Sequence, residues 1–265
     1  MNTPNPSTKS EFSVITSVGT LLKRETWRFM KVWNQTILAP VITTLLFLAV
    51  MTLALGGNTR MIGEMHFAEF IAPGLIMMAV VQNAFANTSS SLILSKIQGV
   101  IIDLLMPPFM GGEITFALVM GGVARGLLVA VSVSVAVYIF VPLHIHSIPL
   151  VLFYLIASSI LLALCGCLAG IIAPSFDLLA AITNYVITPL AFLSGTFYSI
   201  HQLPAFWQKI CHFDPLFYMI DGFRYAMTGH HDGDIQTGII VLCAINVVLW
   251  LLVRHLFTIG WRLKS

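Results

Sequence analysis

Side chains able to do chemistry are sparse in this chain, and most stand apart from one another. The eight histidines are His66, His144, His146, His201, His212, His230, His231 and His255. All but His255 fall between apolar runs, so the inward-facing pair that membrane haem ligation needs is missing. His230, His231, Asp232 and Asp234 could recruit a metal ion, but they lack the ligand spacing of a zinc site and read as a solvated loop end. Cys165, Cys167, Cys211 and Cys243 have no framework spacing. Cys165 and Cys167 sit inside an apolar run and read as small packing residues. No Ser-His-Asp set, H-E-x-x-H motif or intramembrane carboxylate pair argues for an enzyme, and no G-x-x-x-x-G-K-[ST] loop is present to cradle a phosphate.

The chemistry left is that of polar groups inside apolar segments. Arg125 stands well within one, where a charge costs ~2.5–3.5 kcal/mol. Gly121, Gly122, Ala124 and Gly126 around it let another helix or a cavity come close. Two readings stay open. One is a structural ion pair, with Glu113 and Asp177 as candidate partners, or a snorkelling side chain. The other is a counter-charge for an anionic substrate or a gating contact. Gln82, Asn83, Asn87, Thr88, Ser89 and Ser90 put amides and hydroxyls into a second apolar segment, and Thr183, Asn184, Tyr185 and Thr188 into another. Such groups seek partners on neighbouring helices or water.

The elements carrying these residues are long and apolar. Lys plus Arg number 13 and Asp plus Glu 11 among 265 residues, or 9%, where a soluble domain carries about 25%. Hydrophobic residues make up 58%, and mean hydropathy is +0.92. So few charges cannot cover a soluble surface of this size, which excludes a cytosolic enzyme and a disordered regulator. A net charge of +2 is too small for an overall nucleic-acid binder. A bilayer core of ~30 Å needs ~20 apolar residues. Six stretches qualify, at about 35–56, 70–94, 114–141, 148–173, 178–199 and 235–257. Gly56, Gly57, Pro107, Pro108, Pro142, Pro174 and Pro204 punctuate them. Alternating strands of ~10 residues, as in a membrane barrel, are absent. The expected fold is all-α and integral to the membrane, one transmembrane domain over 1–265.

Six spans put both termini on one side. With the N-terminus inside, nine basic residues are cytosolic: Lys9, Lys23, Arg24, Arg28, Lys31, Lys96, Arg254, Arg262 and Lys264. Three, Arg60, Lys209 and Arg224, lie opposite. This asymmetry predicts cytoplasmic termini, and the first residues show no cleavable signal peptide. Ile15, Val18, Leu22, Phe29 and Trp33 share one helical face, with Arg24, Arg28 and Lys31 opposite. That pattern predicts a basic amphipathic helix in the cytosolic membrane interface, either an anchor alone or also a contact for a cytosolic partner. In the cytosolic 96–113 connection, Ile97, Ile101, Leu104 and Leu105 fall on one apolar face before Pro107 and Pro108 stop the helix. That face would lie on the membrane or dock another subunit. The connection at 199–234, rich in Phe206, Trp207, Phe213, Phe217 and Phe223, predicts two short amphipathic helices broken at Asp214-Pro215 and capping the outer end of the bundle.

The run 187–198, with Thr188, Pro189, Ser194, Gly195 and Tyr198, then Leu203-Pro204, Asp214-Pro215 and Gly222, Phe223 and Arg224, resembles the C-terminal signature of ABC exporter permeases of the type-2 fold. Gly99, Leu104, Leu105 and Pro108 are similar to the Gly-x-x-x-x-Leu-Leu-x-x-Pro pattern of their coupling helix. The resemblance implies a half-transporter in the cell inner membrane, in which two permease chains, here read as a homodimer, work with two separate ATPase subunits. Members export polysaccharides, lipid-linked glycans, lipo-oligosaccharides or drugs. It implies an ATPase-coupling loop of Lys96, Ile97, Gly99, Ile101, Asp103, Leu104, Leu105 and Pro108. It also implies a translocation path along the second and fifth spans, with Gln82, Asn83, Asn87, Thr183, Asn184 and Thr188. No cofactor is expected in this chain, since ATP and magnesium belong to the partner ATPase. The alternative is an ATP-independent secondary transporter or channel, which would need coupling carboxylates or histidines near the midplane where the spans offer only Arg125.

Overall fold

The computed structural model describes residues 14–54, 61–62, 65–101 and 110–262, with side chains from Val18 onward. The helices are α1 (Val14–Met30), α2 (Asn34–Ala54), α3 (Phe67–Ile97), α4 (Gly111–Tyr138), α5 (Ile148–Ile172), α6 (Phe176–Leu193), α7 (Ala205–Phe213), α8 (Pro215–Thr228) and α9 (Ile235–Ile259). Six of them, α2 to α6 and α9, are long and apolar enough to cross a membrane. The chain is therefore an all-α membrane protein. A two-rung antiparallel pair, β1 (Met61–Ile62) with β2 (Met65–His66), is a detail that the apolar runs do not announce, being too short to show a period.

The spans are unequally buried, and this sets the architecture. In α3, 83% of the most apolar window is buried, against 72% in α5, 61% in α4, 17% in α6 and 11% in α2 and α9. A helix that is apolar all round belongs in the middle, and α3 is the central post. It presents Phe70, Ile76, Met77 and Val80 to neighbours on every side. Small residues bring α4 and α5 close. A Cβ on Gly122 would stand 2.8 Å from the Ala163 Cβ, and one on Gly170 would stand 2.8 Å from the Leu92 Cβ. At that spacing the Thr88 hydroxyl donates across to the Ala163 carbonyl at 2.8 Å.

Two spans depart from the sequence reading at their ends. Glu69 and Lys96 lie inside the first and last turns of α3, where they suit the helix dipole, so this span runs past both charges. The fifth span ends at Leu193 rather than near 199. There Ser194 leaves helical geometry and Gly195 takes φ +76°, a conformation glycine adopts without strain. The turn is then held from outside: Arg224 Nη2 donates to the Gly195 carbonyl at 2.5 Å.

Candidate functional site

A cleft of about 310 Å³ opens between α2, α3 and α6. Gln82, Asn83 and Thr188, all from the expected path, line it together. Asn87 does not: one turn along α3 from Asn83, it is fully buried and accepts from Arg28 at 3.1 Å. Thr183 donates to the Leu179 carbonyl of its own helix at 2.9 Å, and Asn184 is exposed on α6. The first span supplies polar lining that the sequence reading missed, namely Gln35, Thr43 and Thr44. The spacing of Gln35 and Thr43, two helical turns apart, was the available signal. Phe47 and Phe192 add an aromatic wall, with ring centroids 6.3 Å apart.

Arg125 meets this wall from behind. Its Nη2 donates to Asn83 Oδ1 at 3.0 Å, and the Asn83 amide donates in turn to the Ala79 carbonyl at 3.0 Å. The expected carboxylate partners are elsewhere. Glu113 caps its own helix, accepting from the Met110 amide at 3.1 Å. Asp177 is exposed in the first turn of α6. Both lie at helix ends, and Arg125 stands fourteen residues past Gly111, the start of α4, about 21 Å up a helix of 1.5 Å rise per residue. The guanidinium thus carries its charge to an amide, and its Nε is buried without a partner.

At one end of the bundle, α1 docks into it rather than lying alongside. The buried stripe is Leu21, Glu25 and Phe29, not the face through Leu22 and Trp33, and Trp33 is exposed. Glu25 is 1% exposed. Its carboxylate pairs with Arg24 at 3.1 Å and Arg28 at 3.2 Å and accepts from the Ser91 hydroxyl at 2.9 Å. Arg28 turns inward too, donating to the Asn87 carbonyl at 2.7 Å and to Ser90 Oγ at 3.2 Å. Gly121 on α4 makes room, since a Cβ there would lie 2.8 Å from the Glu25 Cβ. Periodicity missed Glu25 because a lone acid in a basic helix reads as solvated.

The expected coupling loop begins at this same end. Lys96 is a cap: its ammonium donates to the carbonyls of Gly170 at 3.0 Å, Ile171 at 2.5 Å and Ala173 at 3.2 Å, closing the C-terminus of α5. Gly99 turns the chain at φ +70°. Ile97 and Ile101 do not share a face. Ile97 is 58% exposed, whereas Ile101 is 3% exposed within a cluster that includes Leu21, Ile114 and Leu118. The turn at 98–100 breaks the helical phase between them. Asp103, Leu104, Leu105 and Pro108 lie outside the described residues.

At the opposite end α8 is sunk among α3 and α5, with Leu216, Phe217, Met219, Ile220 and Phe223 buried. Asp214 caps it, accepting from the Leu216 amide at 2.9 Å and from Ser194 Oγ at 2.7 Å. Arg224, 1% exposed, donates to the Phe70 carbonyl at 3.2 Å and lies 4.0 Å above the Phe70 ring. Asp221 stands 3.7 Å from it and accepts from the amides of Asp232 and Gly233, each at 2.9 Å. Burial pushes the Asp221 carboxyl up, while Arg224 and the two amides pull it back down. The His230–Asp234 run thus serves as a lock: Asp232 accepts from Ser199 Oγ and the Ile200 amide, and His230 packs edge-on to Phe70.

Six apolar helices, three of them framing a cleft of mixed polar and apolar lining, with a buried ionic cluster at each end, define a multi-pass helical membrane protein. Residues 16–228 match the ABC-2 type transporter family, and the chain belongs to it as a type-2 ABC permease, the membrane subunit of an ABC transporter. It is 40% identical over 245 residues to the inner membrane transport permease YadH of Escherichia coli (strain K12), covering 91% of this chain and 94% of that one. It is 24% identical over 227 residues to nodulation protein J of Rhizobium leguminosarum bv. trifolii, covering 82% and 84%. Membership makes it a transport subunit and implies association with an ABC ATPase.

Proposed function

We propose that the 265 residues form one transmembrane permease domain of an ATP-driven exporter in the cell inner membrane, working as a homodimer with separate ATPase subunits that bind the ATP and magnesium. The observation that carries this reading is the cleft, largely apolar with amides and hydroxyls set into it, and its two outward walls. Only 11% of the apolar window of α2 and 17% of that of α6 is buried, and Tyr185 on α6 is 81% exposed. Gln35 and Thr43, both exposed, and the half-buried Thr188 beside those walls would be costly against lipid. A second copy set against α2 and α6 would shelter them and turn two clefts into one shared path. The cargo is an amphipathic, glycan or drug-like molecule.

The basic asymmetry of nine to three supports cytoplasmic termini, with the α1 end inside and the α7–α8 end outside. Closure of the ATPase dimer would press on the 96–108 loop. Helix α3 is continuous through Ile97, and Lys96 ties its end to that of α5, so the push would reach both helices and alter the cleft. The test is a single cysteine at Tyr185 in a variant without Cys165, Cys167, Cys211 and Cys243, coexpressed with an ABC ATPase. Expected are a disulfide-linked dimer, copurification of the ATPase, and labelling of a Thr188→Cys variant that changes with ATP. Without copurification and with labelling indifferent to ATP, the ATP-independent transporter would be the better reading.

A further inference from the structure

A second opening lies at the α1 end, apart from the cleft between α2, α3 and α6. A groove of about 470 Å³ runs between α1 and the last turns of α3. Among the described residues, Arg24, Arg28 and Lys31 line it, and Glu25 is the single carboxylate lining it. Glu25 is already shared by Arg24 and Arg28, and Arg28 is further committed to Asn87 and Ser90 on α3. Arg24 and Lys31 stand exposed at the rim. Among the described residues, three cations to one carboxylate leave the groove positively charged. Its α3 side mixes the Gln98 amide with the apolar surface of Leu94, and Trp27 adds apolar surface from α1.

The groove also has a fixed depth. Helix α2 begins at Asn34, three residues after Lys31, so the groove stands where the first span leaves the hydrocarbon. Trp27 and Trp33, 64% and 55% exposed, flank it, and indoles settle at the headgroup level of a bilayer. A cationic recess at that depth, with an indole beside it, matches a phosphate joined to glycerol and acyl carbon. A soluble anion would use the cations but not the apolar wall.

We propose that this groove binds the headgroup of an anionic phospholipid, with the phosphate held by Arg24 and Lys31 and the glycerol end resting on Trp27. Arg28 and Glu25 hold α1 in place and shape the recess. The inference goes beyond the export reading and does not depend on it. A bound lipid would brace α1 against the last turns of α3 and the turn at 98–100 that leads into the 101–110 connection.

The test uses the purified full chain in mixed micelles of detergent with phosphatidylglycerol or phosphatidylcholine, read by native mass spectrometry. The wild type should retain phosphatidylglycerol over phosphatidylcholine. Arg24→Gln combined with Lys31→Gln should weaken phosphatidylglycerol retention by roughly thirtyfold. Lys209→Gln, on α7, should leave it unchanged. Lys31→Glu alone, at an exposed position, should also reduce it, so the result survives if the double variant folds poorly. Equal retention in the wild type and both groove variants would overturn the proposal, as would equal retention of the two lipids. Competition by soluble glycerol phosphate as strong as that by phosphatidylglycerol would make this a free-phosphate site and overturn the lipid assignment. Groove variants that lose a coexpressed ATPase but keep the lipid would assign the groove to a protein and overturn it as well.

Discussion

Glu25 and Arg125 are mirror cases of a buried charge. Glu25 meets two guanidiniums and a hydroxyl, so the α1 end is nearly self-contained. Glu25→Gln keeps an acceptor for Ser91 but leaves Arg28 among carbonyls and hydroxyls without its counter-ion. It should destabilise the docking of α1 by roughly 1–3 kcal/mol. A lowered melting midpoint and faster hydrogen exchange in α1 would register this, and unchanged exchange would mean the pairing is idle. Among the described residues, Arg125 has only the Asn83 oxygen as a hydrogen-bond partner. Arg125→Lys keeps the charge but not the fork that reaches Asn83 while remaining beside the cleft. Arg125→Leu should therefore lower transport more than Arg125→Lys, with folded yield reduced less, because no carboxylate is orphaned. Equal transport by all three proteins would make Arg125 a passenger.

Among the elements, the stretch after α3 divides its labour between neighbours. Ile101 packs into the core beside Leu21 and Ile114, while Ile97 and Val100 face out. Ile101→Asp should reduce folded yield, because it buries an unpaired charge in the permease itself. Ile97→Asp with Val100→Asp should leave yield intact and weaken copurification of the ATPase, if the outward side of this stretch is the coupling surface. Wild-type copurification by that double variant would move the coupling contact elsewhere. Helix α8 is the rigid counterpart. Arg224→Leu removes two hydrogen bonds to carbonyls and the partner of buried Asp221, and should cost about 3–5 kcal/mol, read as loss of monodisperse protein.

On the scale of the whole molecule, topology is the property most open to direct measurement. A reporter inserted at Gly233 would be a poor probe, since a Cβ there would lie 2.9 Å from the Phe217 ring and the Gly233 amide is bonded to Asp221. Single cysteines are gentler. With cytoplasmic termini, Lys209→Cys on α7 should react with an impermeant maleimide in intact cells, and Gln98→Cys should react only after permeabilisation. The reverse pattern would invert the molecule. The two positions occupy opposite ends of the bundle, and both are exposed.

Hydropathy alone determined the number and order of the spans, because a bilayer demands ~20 apolar residues whatever the neighbours are. The break at Asp214-Pro215 was equally legible, since a capping acid followed by proline is a local signal. Partners were not legible. Glu113 and Asp177 looked suitable for Arg125 by charge, yet an amide took that place, because distance along and across helices decides contact. Composition gave α1 an apolar face but could not show that Glu25 would pass between α3 and α4, which needs the gap at Gly121. Likewise Lys96 read as a loop charge until the C-terminus of α5 came within reach of its ammonium. Local chemistry and hydrophobic length are written along one chain, whereas the pairing of charges in a membrane protein is a property of two or three helices at once, and only their packing decides it.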